Sequence, residues 1–209
     1  MGLLEGKRGV IMGIANERSI ATGVARTLHR EGAGLAFSFL PDSGERKRNE
    51  SRVRQVTDDL HPLVVAPCDV ARDGDVQAFF QQVHEIMGPI DFVVHSIAYA
   101  PTEDLKLPTY QASRQGFAQA MDISVYSLLS VAQAAAPYMT RGGALCAMTY
   151  FGGEKVMPGY NLMGVCKAAL DTAVRYAAAE LGVQKIRVNA ISAGPVKTLA
   201  ASAVGDFKK

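Results

Sequence analysis

A doubly wound α/β fold is what this sequence predicts, and two observations carry the prediction. Short apolar runs alternate with longer helical patterns, and the runs are continuously apolar where a half-exposed strand would alternate. Strands of that kind are buried on both faces, as in a parallel sheet covered by helices. In chain order, strands are predicted at 8–12, 35–39, 63–67, 91–95, 144–149 and 186–191. Helices are predicted between them at 19–31, 45–60, 73–87, 114–138 and 160–181. The fifth strand runs into a glycine turn at Gly152 and Gly153, and an alanine-rich helix opens near Tyr160. Right-handed crossovers with strand order 3-2-1-4-5-6 would place a ligand crevice at the carboxyl ends of strands one and four, where the chain reverses direction. Internal repeats and low-complexity linkers are absent, so residues 1–209 are expected to form one domain.

At 209 residues, 48% hydrophobic and 20% charged, the chain is long enough to bury a sizeable core. A formal charge of +2 is too small to imply a nucleic-acid surface. No apolar run of about 18 residues is present to span a bilayer. The first eight residues lack the apolar core and small-residue cleavage site of a signal peptide. A cytoplasmic protein without nucleic-acid or membrane partners is expected. Cys68, Cys146 and Cys166 are odd in number and lack metal-type spacing, so they are read as reduced packing residues and no metal site is expected.

The loop after strand one reads Gly13-Ile-Ala-Asn-Glu-Arg-Ser19-Ile20-Ala21 and opens a helix. A glycine there lets a phosphate approach the backbone, and the amides at the helix start, aided by Ser19, offer hydrogen bonds to a pyrophosphate. The loop departs from the G-x-G-x-x-G fingerprint, and any strand-to-helix turn can hold Gly and Ser. Asp69, in Cys68-Asp69-Val70 after strand three, either accepts from an adenine amino group or caps the next helix. His95 ends strand four beside the reversal point, and with no partner in view it is expected to be satisfied locally.

Tyr150, Tyr160 and Lys167 hold the chemistry. Tyr160 and Lys167 are seven residues apart, roughly two turns at about 3.6 residues each, so both side chains lie along one helix face. A nearby ammonium stabilises phenolate, so a phenol held there shares its proton more easily. Tyr150 reads either as a second site residue or as a packing aromatic at a strand end.

These segments resemble the short-chain dehydrogenase/reductase superfamily, and more specifically its divergent branch, the bacterial enoyl-(acyl-carrier-protein) reductases of type II fatty-acid synthesis. The resemblance is carried by Gly13-x5-Ser19-Ile20-Ala21, Cys68-Asp69-Val70, His95-Ser96-Ile97-Ala98 and Tyr150-x9-Tyr160-Asn161-x-Met163-Gly164-x2-Lys167. It continues through Arg187-Val-Asn-Ala-Ile-Ser-Ala-Gly194-Pro195-x2-Thr198 and so runs essentially end to end. The commoner branch of the superfamily spaces Tyr and Lys by four with a serine upstream, whereas here the spacing is seven with a tyrosine upstream.

The resemblance implies a Rossmann-like fold and reduction of the trans-2 double bond of an enoyl thioester on acyl carrier protein. Hydride would come from NADH, with NADPH left open. It implies that Tyr160 stabilises the developing enolate, that Lys167 holds the nicotinamide ribose, and that Tyr150 orients the carbonyl. Cofactor contacts are implied at Gly13, Ser19, Ile20, Asp69, Val70, Ser96, Ile97, Lys167, Val196 and Thr198. Asp42 bears on ribose recognition, while Arg46, Lys47 and Arg48 would welcome a 2'-phosphate or form a solvated helix face. Relatives continue through a helical lid and a seventh strand, whereas this sequence stops at Lys208-Lys209, two candidates for carrier-protein docking. A truncated product with strand six left as an edge is therefore expected. Small helix faces at Ala134–Ala136 and Ala177–Ala179 suggest a homotetramer, or close packing of each helix on its own sheet. The rival readings are a 3-oxoacyl (carbonyl) reductase and a catalytically silent dinucleotide-binding protein.

Overall fold

The computed structural model describes residues 2–42, 48–194 and 196. Among these, six strands form one parallel sheet in the order β3-β2-β1-β4-β5-β6, as the sequence predicts. The strands are β1 (Arg8–Met12), β2 (Gly34–Phe39), β3 (Val64–Pro67), β4 (Phe92–His95), β5 (Gly143–Thr149) and β6 (Ile186–Ser192). Each differs from its predicted span by at most one residue at either end, the usual uncertainty of element boundaries. The central register pairs Val10 with Val93 and Met12 with His95, so β1 and β4 end level with each other at the reversal point.

Successive strand residues face opposite sides of the sheet, and the two sides carry separate cores. On one side Ile11, Leu35 and Phe37 pack with Ala21 and Ala25 of α1 (Ile20–Arg30) and Val53 and Val56 of α2 (Arg48–Thr57). On the other side Val10, Met12, Val93 and Leu145 pack under α3 (Asp73–Met87), where Phe79 and Phe80 meet edge to face. A short α4 (Thr102–Lys106) follows β4, then α5 (Arg114–Met121), α6 (Ser127–Ala135) and α7 (Asn161–Leu181). Leu128 and Val131 of α6 and Leu162, Cys166 and Leu170 of α7 complete that second core. Continuously apolar strands are thus explained by two helical layers.

Two helical expectations need correction. The single helix predicted over 114–138 is interrupted by a wide π-helical turn at Asp122–Tyr126 and tightens into a 3-10 turn at Ala136–Tyr138 around Pro137. Proline has no N–H to donate, which favours ending the helix there. The π turn has a tertiary cause, described below. The expected helix over 45–60 is observed as α2 followed by a 3-10 turn at Asp58–Leu60, and positions 45–47 lie outside the described residues. Helix α4 was not predicted, because five residues give too short a pattern to read.

Candidate active site

Seven of the described candidates follow the carboxyl ends of parallel strands, on the side of the sheet where such folds bind ligands, and Ser19, Ile20, Tyr160 and Lys167 lie at or in the helices that come next. Gly13 follows β1, Asp69 and Val70 follow β3, Ser96 and Ile97 follow β4, Tyr150 follows β5, and Val196 follows β6. Thr198, Arg46, Lys47, Lys208 and Lys209 lie outside the described residues.

At the reversal point Gly13 has φ +98°, and a Cβ there would overlap the backbone carbonyl of Ser96. Only glycine satisfies both constraints, so the β1 and β4 loops cross at van der Waals contact. Ser19 shapes this loop: its hydroxyl accepts hydrogen bonds from the amides of Ala15 at 3.0 Å and Asn16 at 3.2 Å. Among the described residues no side chain caps the first turn of α1, whose amides have no acceptor within the helix. A glycine cradle ending in uncapped helix amides fits the pyrophosphate of a dinucleotide.

Asp69 is half-buried, and its carboxylate accepts from the amide of Ala71 at 3.1 Å and pairs with Arg72 at 3.5 Å. These contacts form a local turn and not the helix cap the sequence allowed, because the N-cap of α3 is Arg72. Asp42 also has a local task. It accepts from the amides of Asn49 at 2.8 Å and Glu50 at 3.3 Å, a cap on α2 that holds its carboxyl below the usual range.

Tyr160 is the residue before α7 and Lys167 lies two turns in, and both are buried, at 8% and 6% exposure. Their shared face is the one turned to the core. The ring of Tyr150 meets that of Tyr160 edge to face, with centroids 4.8 Å apart. Gly152 makes this possible, because a Cβ there would press on the Tyr160 ring. Lys167 Nζ donates to the carbonyl of Met148 in β5 at 2.7 Å, which leaves further ammonium protons for a ligand. Burial lowers the Lys167 pKa to about 8. Burial also pushes the Tyr160 phenol above its ordinary value, reinforced by Tyr150, Cys166 and Asp171. The easier proton sharing expected from the lysine is not seen, since every influence on the phenol raises it, and Tyr160 stands as a protonated hydrogen-bond donor. Burial raises the Cys68 thiol to about 12 and the Cys166 thiol to about 11, consistent with packing roles.

His95 is fully buried, and where the sequence expects local satisfaction its Nε2 instead meets the Ser127 hydroxyl, 32 residues away, at 2.8 Å. Ser127 itself donates to the Ile123 carbonyl at 2.7 Å, so Nε2 carries the proton, and Nδ1 has no partner among the described residues. Ser124, one turn earlier, accepts from the Tyr99 amide and donates to the Tyr99 carbonyl, each at 2.9 Å. The π turn thus holds the 96–98 loop at both ends. Two serines in a helical pattern gave the sequence no signal for this.

A six-stranded doubly wound sheet with a glycine cradle at its reversal point defines a dinucleotide-binding α/β protein. The enoyl-(acyl carrier protein) reductase family model matches residues 13–209. The chain is 52% identical over 202 residues to the enoyl-(acyl-carrier-protein) reductase (NADH) FabI of Synechocystis sp., covering 97% of this chain and 78% of that protein. The crystal structure of the Bacillus cereus enoyl-acyl carrier protein reductase with NADP+ and indole naphthyridinone superposes with TM-score 0.93 at 48% identity. That match covers 99% of this chain and 79% of the other. The Anaplasma phagocytophilum reductase in complex with NAD superposes with TM-score 0.91 at 44% identity, covering 99% and 77%. The chain belongs to the enoyl-(acyl-carrier-protein) reductase family, in the divergent branch of the short-chain dehydrogenases/reductases.

Proposed function

We propose that this chain reduces the trans-2 double bond of enoyl thioesters carried on acyl carrier protein, the last reductive step of type II fatty-acid elongation, using NADH. The observation that carries the reading is the buried Tyr160, packed on Tyr150, at the opening of the helix that presents Lys167. NADH is favoured over NADPH because the Synechocystis relative is named for NADH, while relatives have been solved with NAD and with NADP+.

A reduced nicotinamide bound in the crevice supplies the hydride. Gly13, Ser19 and Ile20 would hold the pyrophosphate side, Asp69 and Val70 the adenine side, and Ser96 and Ile97 the ribose and nicotinamide side. Val196 and Thr198 would reach the carboxamide and pyrophosphate, and Lys167 would grip the ribose hydroxyls with protons not used on Met148. Hydride addition at the β-carbon of the thioester drives the π electrons onto the carbonyl oxygen, and Tyr160 donates a hydrogen bond to that oxygen. A phenol kept protonated by burial is suited to that donation. Tyr150, edge-on to Tyr160, would orient the carbonyl, and protonation at the α-carbon completes the saturated thioester.

The whole chain is read as one domain acting in the cytoplasm, and among the described residues no helix is long and apolar enough to cross a membrane. Acyl carrier protein is the proposed macromolecular partner, with Lys208 and Lys209 as docking candidates. A homotetramer is proposed from the exposed apolar residues Phe117, Leu129, Val165 and Tyr176 on α5, α6 and α7. Ala135 and Ala177 are taken up by the chain's own core, so those helices leave only their outer faces for a second copy.

The test is to mix the protein with NADH or NADPH and either crotonyl or acetoacetyl thioester, and follow the absorbance of the reduced nicotinamide. Oxidation of NADH with the crotonyl thioester is expected. Oxidation with the acetoacetyl thioester alone would overturn the assignment in favour of a carbonyl reductase.

A further inference from the structure

Asn161 follows Tyr160 directly and has φ +42°, in the left-handed region. Asparagine enters that region more readily than other residues with a Cβ, but a single non-glycine residue there still needs a reason. The side chain supplies one. Asn161 Nδ2 donates to the carbonyl of Leu105 at 2.8 Å, across 56 residues of sequence. Leu105 lies in the last turn of α4, where helix carbonyls have no N–H donor within the helix.

Helix α4 has only five residues, too few to be stable alone. Its other anchor is Asp104, 7% exposed, which accepts from the Ser113 amide at 2.5 Å and from the Ser113 hydroxyl at 3.2 Å. Ser113 in turn accepts from the Gly116 amide at 2.9 Å and so caps α5. Leu105 and Tyr160 are buried in the same apolar core. The α4 segment is therefore tied through Asp104 to the cap of α5 and, one residue on, through Leu105 to the residue next to the phenol.

We propose that Asn161 is a positioning residue for Tyr160. Its left-handed backbone turns the chain so that the Tyr160 ring enters the site at the mouth of α7, and its amide fastens α4 as the opposing wall for the acyl thioester. The proposal rests on the reductase reading for its substrate. The contact between Asn161 and α4 is testable without that reading.

The experiment compares wild type, Asn161→Gly and Asn161→Asp. Glycine accepts the left-handed backbone but lacks the amide, and aspartate keeps a similar shape but cannot donate while ionised. Both variants should bind NADH within about twofold of wild type by fluorescence titration. Both should lose about tenfold or more in kcat/KM for crotonyl thioester. In hydrogen-exchange mass spectrometry, peptides covering 101–107 should exchange faster in both variants, with those covering α3 unchanged. Wild-type kcat/KM in Asn161→Gly, or an equal loss of NADH affinity, would overturn the positioning role. Unchanged exchange over 101–107 would overturn the anchor. If wild type itself leaves NADH unoxidised, the reductase reading falls, and the exchange result still decides whether Asn161 holds α4.

Discussion

Lys167 sits where burial works against its own charge. An ammonium with a pKa near 8 is protonated below that value and neutral above it. For the free protein, kcat/KM for NADH is therefore expected to fall as pH rises through about 8, measured at fixed ionic strength. Tyr160 should add no second break in that range, because its phenol is shifted upward. Tyr160→Phe removes the donor to the enolate oxygen and should lower kcat by about 10²–10³, with NADH affinity held within about twofold. Lys167→Ala should weaken NADH binding as well as turnover, and unchanged cofactor affinity in a fluorescence titration would contradict the ribose contact. Gly13 offers a stability test at the same scale. Gly13→Ala combines a left-handed backbone with overlap on the Ser96 carbonyl, so it should cost at least ~1–2 kcal/mol in urea unfolding.

Among the elements, the π turn between α5 and α6 has a tertiary purpose. Ser127 meets buried His95 and Ser124 meets Tyr99, so a local defect in helix geometry fixes the loop that crosses Gly13. Burial, then the positive charge of Lys167, lowers the His95 pKa to about 3. The sign of the stability effect follows. Between pH 3 and 6.5 the unfolded chain binds a proton at this histidine that the folded chain does not, so stability rises with pH across that window and is lost as pH falls. His95→Asn should flatten the pH dependence of the urea midpoint between those limits, and an unchanged slope would show that His95 is not the group responsible. The sequence expects His95 to be satisfied locally, but its partner Ser127 lies 32 residues away at the start of α6, just after a turn whose geometry exists only after the sheet and helix have docked.

For the whole molecule, the sheet order puts every described cofactor candidate at one end of the fold, while α5, α6 and α7 leave apolar side chains on their outer faces. Phe117, Leu129, Val165 and Tyr176 are 38–67% exposed, the arrangement from which self-association is proposed. Light scattering on a sizing column should give four times the 22.3 kDa chain mass. A monomer at micromolar concentration would remove the tetramer.

The sequence by itself determined the strands, the two-sided core and the Tyr160–Lys167 spacing, because these depend on local periodicity and on turn residues close together in the chain, and the strand order followed from the doubly wound class those elements define. Its near-exact strand limits reflect uninterrupted apolar runs that no alternative element could bury. The tertiary structure alone decided that Ser124 and Ser127 hold the loop after β4 and that Asn161 reaches α4. Those assignments depend on which polar groups meet when distant segments pack. A hydrogen bond across 25 to 56 residues leaves no periodic trace in the chain that makes it.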